Sequence, residues 1–200
     1  MLRMNLLLAS QSPTRRRMLE SAGVPFETVP APLDEDSAKA GLLASGFDAR
    51  DMAEMLAELK AKSVAAPAGA LVLGSDQTLE REDGAILGKP GTLAGAREQL
   101  LSLRGAEHRL HSGAVIVSDG ERLWGCVESV TLSVRRFSER FLDDYLASEG
   151  EAVLGSAGAY RAEAIGAQLF DRIEGSHFAI LGLPLIPLLE ELRRHAIVTS

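Results

Sequence analysis

The sequence predicts an α/β fold, or an α+β fold with a mixed sheet. Short apolar runs of strand character alternate with segments of helical period from one end of the chain to the other. Serine and threonine caps and glycine stops punctuate the helical segments, and an Asp-Gly pair joins two long strand-like runs. These signals leave the strand order open.

Asn5–Ala9 reads as a first buried strand, followed by Ser12 as an N-cap and Pro13 at the first helical position, where its missing N–H costs nothing. That helix stops at Gly23, a natural C-terminal residue. Phe26–Val29 has strand character, and Asp34-Glu35-Asp36 opens a polar loop. The clearest helix runs from Asp48 to about Ala66, with Met52, Met55, Leu56, Leu59 and Ser63 on one face and Lys60 at its border. Ala70–Gly74 is a buried strand ending in Ser75-Asp76-Gln77. Thr92 caps a helix to about Leu103, closed by Gly105. His108–Val117 and Leu123–Val134 flank Ser118-Asp119-Gly120-Glu121 as a hairpin. Ser138 caps a helix through Leu146, and Gly155–Tyr160 and Gln168–Glu174 read as strands. Pro184–Arg194 is a last amphipathic helix with Leu185, Leu188, Leu189 and Leu192 inward.

The 200 residues suit one domain, or one domain with two lobes. Folding at this length buries roughly 70% of the unfolded surface, so neither a disulfide nor a structural metal is needed. The lone Cys126 excludes an intrachain bridge and a multi-cysteine zinc site, and reads as a packing thiol. A net charge of −7 argues against a protein that coats nucleic acid through a basic surface, although Arg15, Arg16 and Arg17 concentrate positive charge locally. The opening MLRMNLLLAS is too short in its apolar part for a leader, and no apolar run approaches a membrane span. A cytoplasmic protein without a membrane partner is expected.

Three segments could carry chemistry. Ser10 to Arg17 forms a strand–loop–helix whose free N–H groups and arginines suit an anion, though it also fits a capped surface helix. Asp76 follows an apolar strand, where a carboxylate can bind a metal or take a proton from water, or simply start a turn. Gly84–Pro90 approaches a P-loop but has three residues between its glycines, and Pro90 stands where Ser or Thr should hold Mg²⁺. A Walker-type site is therefore rejected, with Lys89 left as a phosphate contact or a turn lysine. Asp34-Glu35 offers oxygen ligands to a hard cation, or a solvated acidic pair. His108, His111, His177 and His195 have no zincin spacing and receive no ligand role, and no GxSxG elbow occurs. Cations at Arg15, Lys60 and Lys89 beside carboxylates at Glu35 and Asp76 form the set that phosphoanhydride hydrolysis requires.

In this order, these segments resemble the Maf family of nucleotide pyrophosphatases. The likeness starts at Leu7-Leu8-Ala9-Ser10-Gln11-Ser12-Pro13-Thr14-Arg15-Arg16. It continues through Asp34-Glu35, Lys60-Ala61, Gly74-Ser75-Asp76, Gly88-Lys89-Pro90 and His111-Ser112-Gly113. It closes with Ala157-Gly158-Ala159-Tyr160 and Ile180–Leu185. The resemblance implies an elongated mixed sheet with flanking helices, two lobes around a cleft as in inosine triphosphatases, and a homodimer. It also implies release of pyrophosphate from a nucleoside triphosphate with Mg²⁺ or Mn²⁺. By position, Asp76 matches the catalytic aspartate and, with Glu35, the metal site. Ser10, Arg15, Lys60 and Lys89 match the triphosphate-binding set. Thr14, Gln77 and Glu163 match the positions associated with base choice. Gln77, Ser156 and Arg161-Ala162-Glu163-Ala164 resemble the 7-methyl-GTP branch, with Glu163 expected as a buried carboxylate facing a guanine edge. Thr14 stands where that branch often has tryptophan. The rival expectations are a dTTP/UTP pyrophosphatase and a non-catalytic nucleotide-binding regulator of cell division.

Overall fold

A computed structural model of the chain describes residues 5–199; Met1–Met4, which open the segment weighed as a leader, and Ser200 lie outside the described residues. The elements in chain order are β1 (Leu6–Ala9), α1 (Pro13–Ser21), β2 (Glu27–Val29), α2 (Glu35–Ala44), α3 (Ala49–Ser63), β3 (Leu71–Arg81), β4 (Ile86–Leu87) and α4 (Leu93–Leu103). They continue with β5 (Glu107–Ser118), β6 (Glu121–Val134), α5 (Glu139–Glu149), three 3-10 segments between Gly150 and Leu169, β7 (Phe170–Glu174), α6 (His177–Ile180) and α7 (Leu185–Arg194). The strands form one mixed sheet in the order β2-β1-β3-β5-β6-β7, with β4 paired to β3. No helix among the described residues is long and apolar enough to cross a membrane.

The chain forms two compact units. The first holds the residues up to Gln77, His111–Glu128 and those from Ser176 onward. Here β1 lies parallel to both β2 and β3. The strand pleat sends successive side chains to opposite faces. Leu6, Leu8, Leu71, Leu73, Ala114 and Ile116 pack with α1 and α7 through Met18, Leu19, Leu185, Leu188 and Leu192. Leu7, Val72, Val115 and Val117 pack on the other face with Ala57 and Ala61 of α3.

The buried face of α3 differs from the expected one. Its fully covered residues are Ala49, Met52, Ala53, Leu56, Ala57, Lys60 and Ala61, with Met55 and Leu59 only half-buried. The alanines meet glycines in the sheet. A Cβ on Gly74 would lie 1.9 Å from the Ala57 carbonyl oxygen, and one on Gly113 would lie 2.6 Å from that of Ala53. Helix and sheet therefore touch backbone to backbone, and the larger Met55 and Leu59 are displaced to the side of the contact.

The second unit comprises Thr78–Leu110 and Ser129–Gly175. It contains the antiparallel pairs β3–β4 and β6–β7. Its core includes the half-turned segment Ala157–Ala159, predicted as strand. Gly158 (φ +80°) and Ala159 (φ +58°) both take left-handed backbone there, which no strand accommodates. The predicted hairpin turn is present: Asp119 and Gly120 both have positive φ, as a two-residue turn of the primed type requires.

Candidate active site

Strand β3 does not stop at Gly74, as the polar run after it suggested, but carries Ser75, Asp76 and Gln77 within it. The pleat then decides where each side chain goes. Val72, Gly74 and Asp76 face α3, while Leu73, Ser75 and Gln77 face α1 and the C-terminal segment.

On the α3 side, Lys60 Nζ donates to Asp76 Oδ1 at 2.6 Å and meets Glu35 Oε1 at 3.0 Å. Lys60 and Asp76 are buried, whereas Glu35 is partly open to solvent. Glu35 is not in a loop as predicted. It is the first residue of α2, whose N-cap Asp34 accepts from the Ser37 N–H, so a carboxylate sits at the positive end of a helix. The Ser37 hydroxyl and the Ser37 N–H hold the Asp34 carboxyl below its ordinary pKa, and these contacts engage both of its oxygens in capping α2. Asp76 Oδ2 is buried and, among the described residues, has no hydrogen-bond partner.

On the opposite face, side chains converge on the end of α6. Arg15 Nε donates to the Gly182 carbonyl at 2.8 Å and Nη1 to the Ser75 carbonyl at 3.0 Å, with Ser10 Oγ 3.5 Å away. Ser75 Oγ also donates to Gly182 at 3.0 Å. Gln77 Nε2 lies 2.9 Å from the Ala179 carbonyl, 3.1 Å from that of Ile180 and 2.9 Å from Ser112 Oγ. Ser112 Oγ in turn donates to Ala179 at 2.7 Å. Burial pulls the Arg15 pKa below its ordinary value, opposed by the charges of Asp76 and Glu35. These two carbonyls take one N–H each from Nε and Nη1 and fix the guanidinium plane, while Nη2 donates no hydrogen bond among the described residues. Gln77 likewise has its amide nitrogen engaged inside the fold.

Ser10 is buried and accepts from the Ser12 N–H, and Thr14 is half-buried in the first turn of α1. Lys89 and Glu163 belong to the other unit. Lys89 is exposed and, among the described residues, forms no ion pair. Glu163 is not the buried carboxylate expected; it lies at the surface of an irregular segment, 3.7 Å from Arg161. Cys126 is half-buried, and burial raises its thiol pKa, in keeping with a packing role. The sequence motifs alone give Ser75 and Ser112 no role of their own. Period-two alternation from Gln77, together with the isolated glycines at 74 and 113, is the signal that marks them as contact positions.

The chain matches the family described as Maf-like protein over residues 5–195. It belongs to the Maf-like family. A nucleoside triphosphate pyrophosphatase of Caulobacter vibrioides is 52% identical over 192 residues, covering 96% of each chain. A 7-methyl-GTP pyrophosphatase of Mesorhizobium japonicum is 47% identical over 189 residues and 94% of each chain. Among solved structures, a HAM1 protein from Coxiella burnetii overlays 67% of this chain and 74% of its own at a TM-score of 0.43 and 16% identity. Within this Maf-like chain, Ser10, Arg15, Glu35, Lys60 and Asp76 lie in the first unit, where Lys60 ties the two acids together.

Proposed function

We propose that this protein hydrolyses a nucleoside triphosphate to the monophosphate and pyrophosphate, with Asp76 as general base. The observation that carries the reading is the Asp76 carboxylate: Lys60 holds Oδ1, and Oδ2 is buried without a partner. A buried acceptor left unmade costs about 1–3 kcal/mol, which a contacting water or cation removes. Oδ2 is thus the oxygen placed to orient a water and take its proton, while Lys60 fixes the carboxylate plane.

The residues present fit a divalent cation. The Asp76 and Glu35 carboxylates are hard oxygen donors that would hold the metal or its waters, and the described residues contain no cluster of three or more His, Cys, Asp or Glu able to hold a metal. Two carboxylates suffice for Mg²⁺ or Mn²⁺ when substrate phosphates and water complete the shell. Such an ion, when bound, would supply Lewis-acid polarisation of the phosphoanhydride. The cations Lys60 and, on the family resemblance, Arg15 and Lys89 neutralise the triphosphate, with Ser10 as a neutral contact.

The proposed substrate is 7-methyl-GTP or another modified nucleotide, supported by Gln77, the Arg161–Ala164 segment and the name of the Mesorhizobium japonicum relative. Thr14, Gln77 and Glu163 remain the positions to vary. With Nε2 engaged by α6, Gln77 has its carbonyl oxygen as the group left to recognise a base, and therefore favours a donor such as a guanine amino group. On the same resemblance the protein is a homodimer, which sedimentation velocity would check.

Asp76→Asn keeps the shape and removes the base, so turnover should fall by about 10²–10⁴-fold while triphosphate binding persists. Pyrophosphate release is measured from 7-methyl-GTP, GTP, dTTP and UTP with Mg²⁺ or Mn²⁺. Wild-type turnover by the mutant would remove Asp76 from the mechanism, and faster release from dTTP or UTP would overturn the base assignment. No release from any of them would favour a nucleotide-binding regulator.

A further inference from the structure

We propose that Gln99 is a positioning residue that sets Lys89 for its phosphate contact by tying the Gly88-Lys89-Pro90 loop to the turn at Gly158; this rests on the role given to Lys89 above. Gln99 lies on α4 and has no assigned role. Its Nε2 donates to the Gly88 carbonyl at 2.9 Å, and its Oε1 accepts from the Gly158 N–H at 3.1 Å. One amide therefore joins two segments about 70 positions apart in the chain, using both its donor and its acceptor.

The two ends of this bridge are themselves built with care. The peptide before Lys89 is held through Gly88 by Gln99. One peptide further on from Lys89, the Pro90 carbonyl accepts from the Thr92 N–H at 2.8 Å. Gly95 packs so close to that carbonyl that a Cβ would lie 2.4 Å from its oxygen. Lys89 thus projects from a segment fixed on both sides to α4, while its own side chain is exposed. A lysine is a point charge on a flexible stem, so only its backbone can give it a fixed origin.

At the other end, Gly158 and Ala159 both have positive φ. For Ala159 such backbone is strained, and it persists only where surrounding contacts over-determine it. Tyr145 Oη donates to the Ala159 carbonyl at 3.2 Å, and a Cβ on Gly158 would lie 2.6 Å from Leu79 Cδ1. Gln99 supplies the partner for the Gly158 N–H, so the strained turn is the rigid post against which the Lys89 loop is braced.

The test is a double-mutant cycle between Gln99→Leu and Lys89→Ala, with kcat and KM measured on 7-methyl-GTP and UTP and thermal melting run alongside. Loss of both hydrogen bonds should lower kcat/KM about five- to tenfold in the wild-type background. In the Lys89→Ala background the same change should cost less than about twofold, because the group being positioned is gone. Gln99→Glu keeps an acceptor for Gly158 and loses the donor to Gly88, so it should resemble Gln99→Leu in rate. Gln99→Met, similar in length, serves if Gln99→Leu does not fold. Equal losses in both backgrounds, or no loss in either, would overturn the role of Gln99. Full activity in Lys89→Ala alone would instead overturn the phosphate role of Lys89, and this inference with it.

Discussion

Each unit of the molecule buries polar groups, and the two do so by opposite means. In the first, Lys60, Asp76 and Glu35 form an ion cluster in which one carboxylate oxygen is left without a partner. In the second, His108 Nε2 meets Tyr160 Oη at 2.6 Å, and Phe170 closes on Tyr160 edge-on at 4.9 Å between ring centres. Burial pushes the His108 pKa down to about 4, and it also raises the Tyr160 hydroxyl above its ordinary value. That pair is therefore neutral near pH 7. The difference lies in charge: the first cluster pairs two acids with a lysine, which suits the ligand role proposed for Asp76, and the aromatic pair removes charge in favour of shape.

The contrast can be broken at either end. The largest effect is expected from Lys60→Met, which leaves the buried Asp76 carboxylate without its cation. Breaking a buried ion pair from one side costs about 3–5 kcal/mol, to be read by urea unfolding. A loss below about 1 kcal/mol would reduce the cluster to the rank of a surface pair.

A slightly smaller effect should come from acid. Unfolded His108 takes a proton near its ordinary 6.5, whereas the folded residue resists until about 4. Between those values the unfolded state binds more protons, so stability falls as pH falls, by a total on the order of 3 kcal/mol. His108→Gln, which retains a hydrogen-bonding group for Tyr160, should flatten this part of the pH profile. An unchanged profile would show that His108 does not titrate in this way.

The smallest of the three, Gly74→Ala, sharpens the comparison by moving the cluster rather than deleting it. The added methyl meets the Ala57 carbonyl and must push α3 from β3, taking Lys60 away from Asp76. A cost of about 1–3 kcal/mol is expected, with a fall in turnover beyond what melting explains. Normal turnover in the folded variant would mean that the Lys60–Asp76 contact tolerates such a shift.

Much of the fold was legible because its signals are local. Ser12, Thr92 and Ser138 cap the helices they were expected to cap, and Asp119-Gly120 makes the expected turn. The acids and Lys60 were marked by motif resemblance, and Lys60 indeed touches both Glu35 and Asp76. What escaped was non-local. Ser75-Asp76-Gln77 looks like a turn because three polar residues in a strand need partners, and those partners lie as far as 107 positions away at Gly182. Ala157–Ala159 looks like a strand because small apolar residues do not announce positive φ. Glu163 was expected indoors on the strength of a role, and no neighbouring sequence pattern fixed its exposure. The face of α3 was misjudged because hydrophobicity scales rank methionine and leucine above alanine, while backbone contact selects for smallness.

The alternation along β3 has one more consequence, for the history of the gene rather than the chemistry of the site. Because neighbouring letters serve opposite sides of the sheet, this stretch can be respelled but not lengthened. A single added codon upstream of Asp76 would turn this carboxylate, the proposed base, toward α1 and hand Ser75 or its substitute to Lys60. Drift by insertion and deletion should therefore collect in the surface loops and spare this segment.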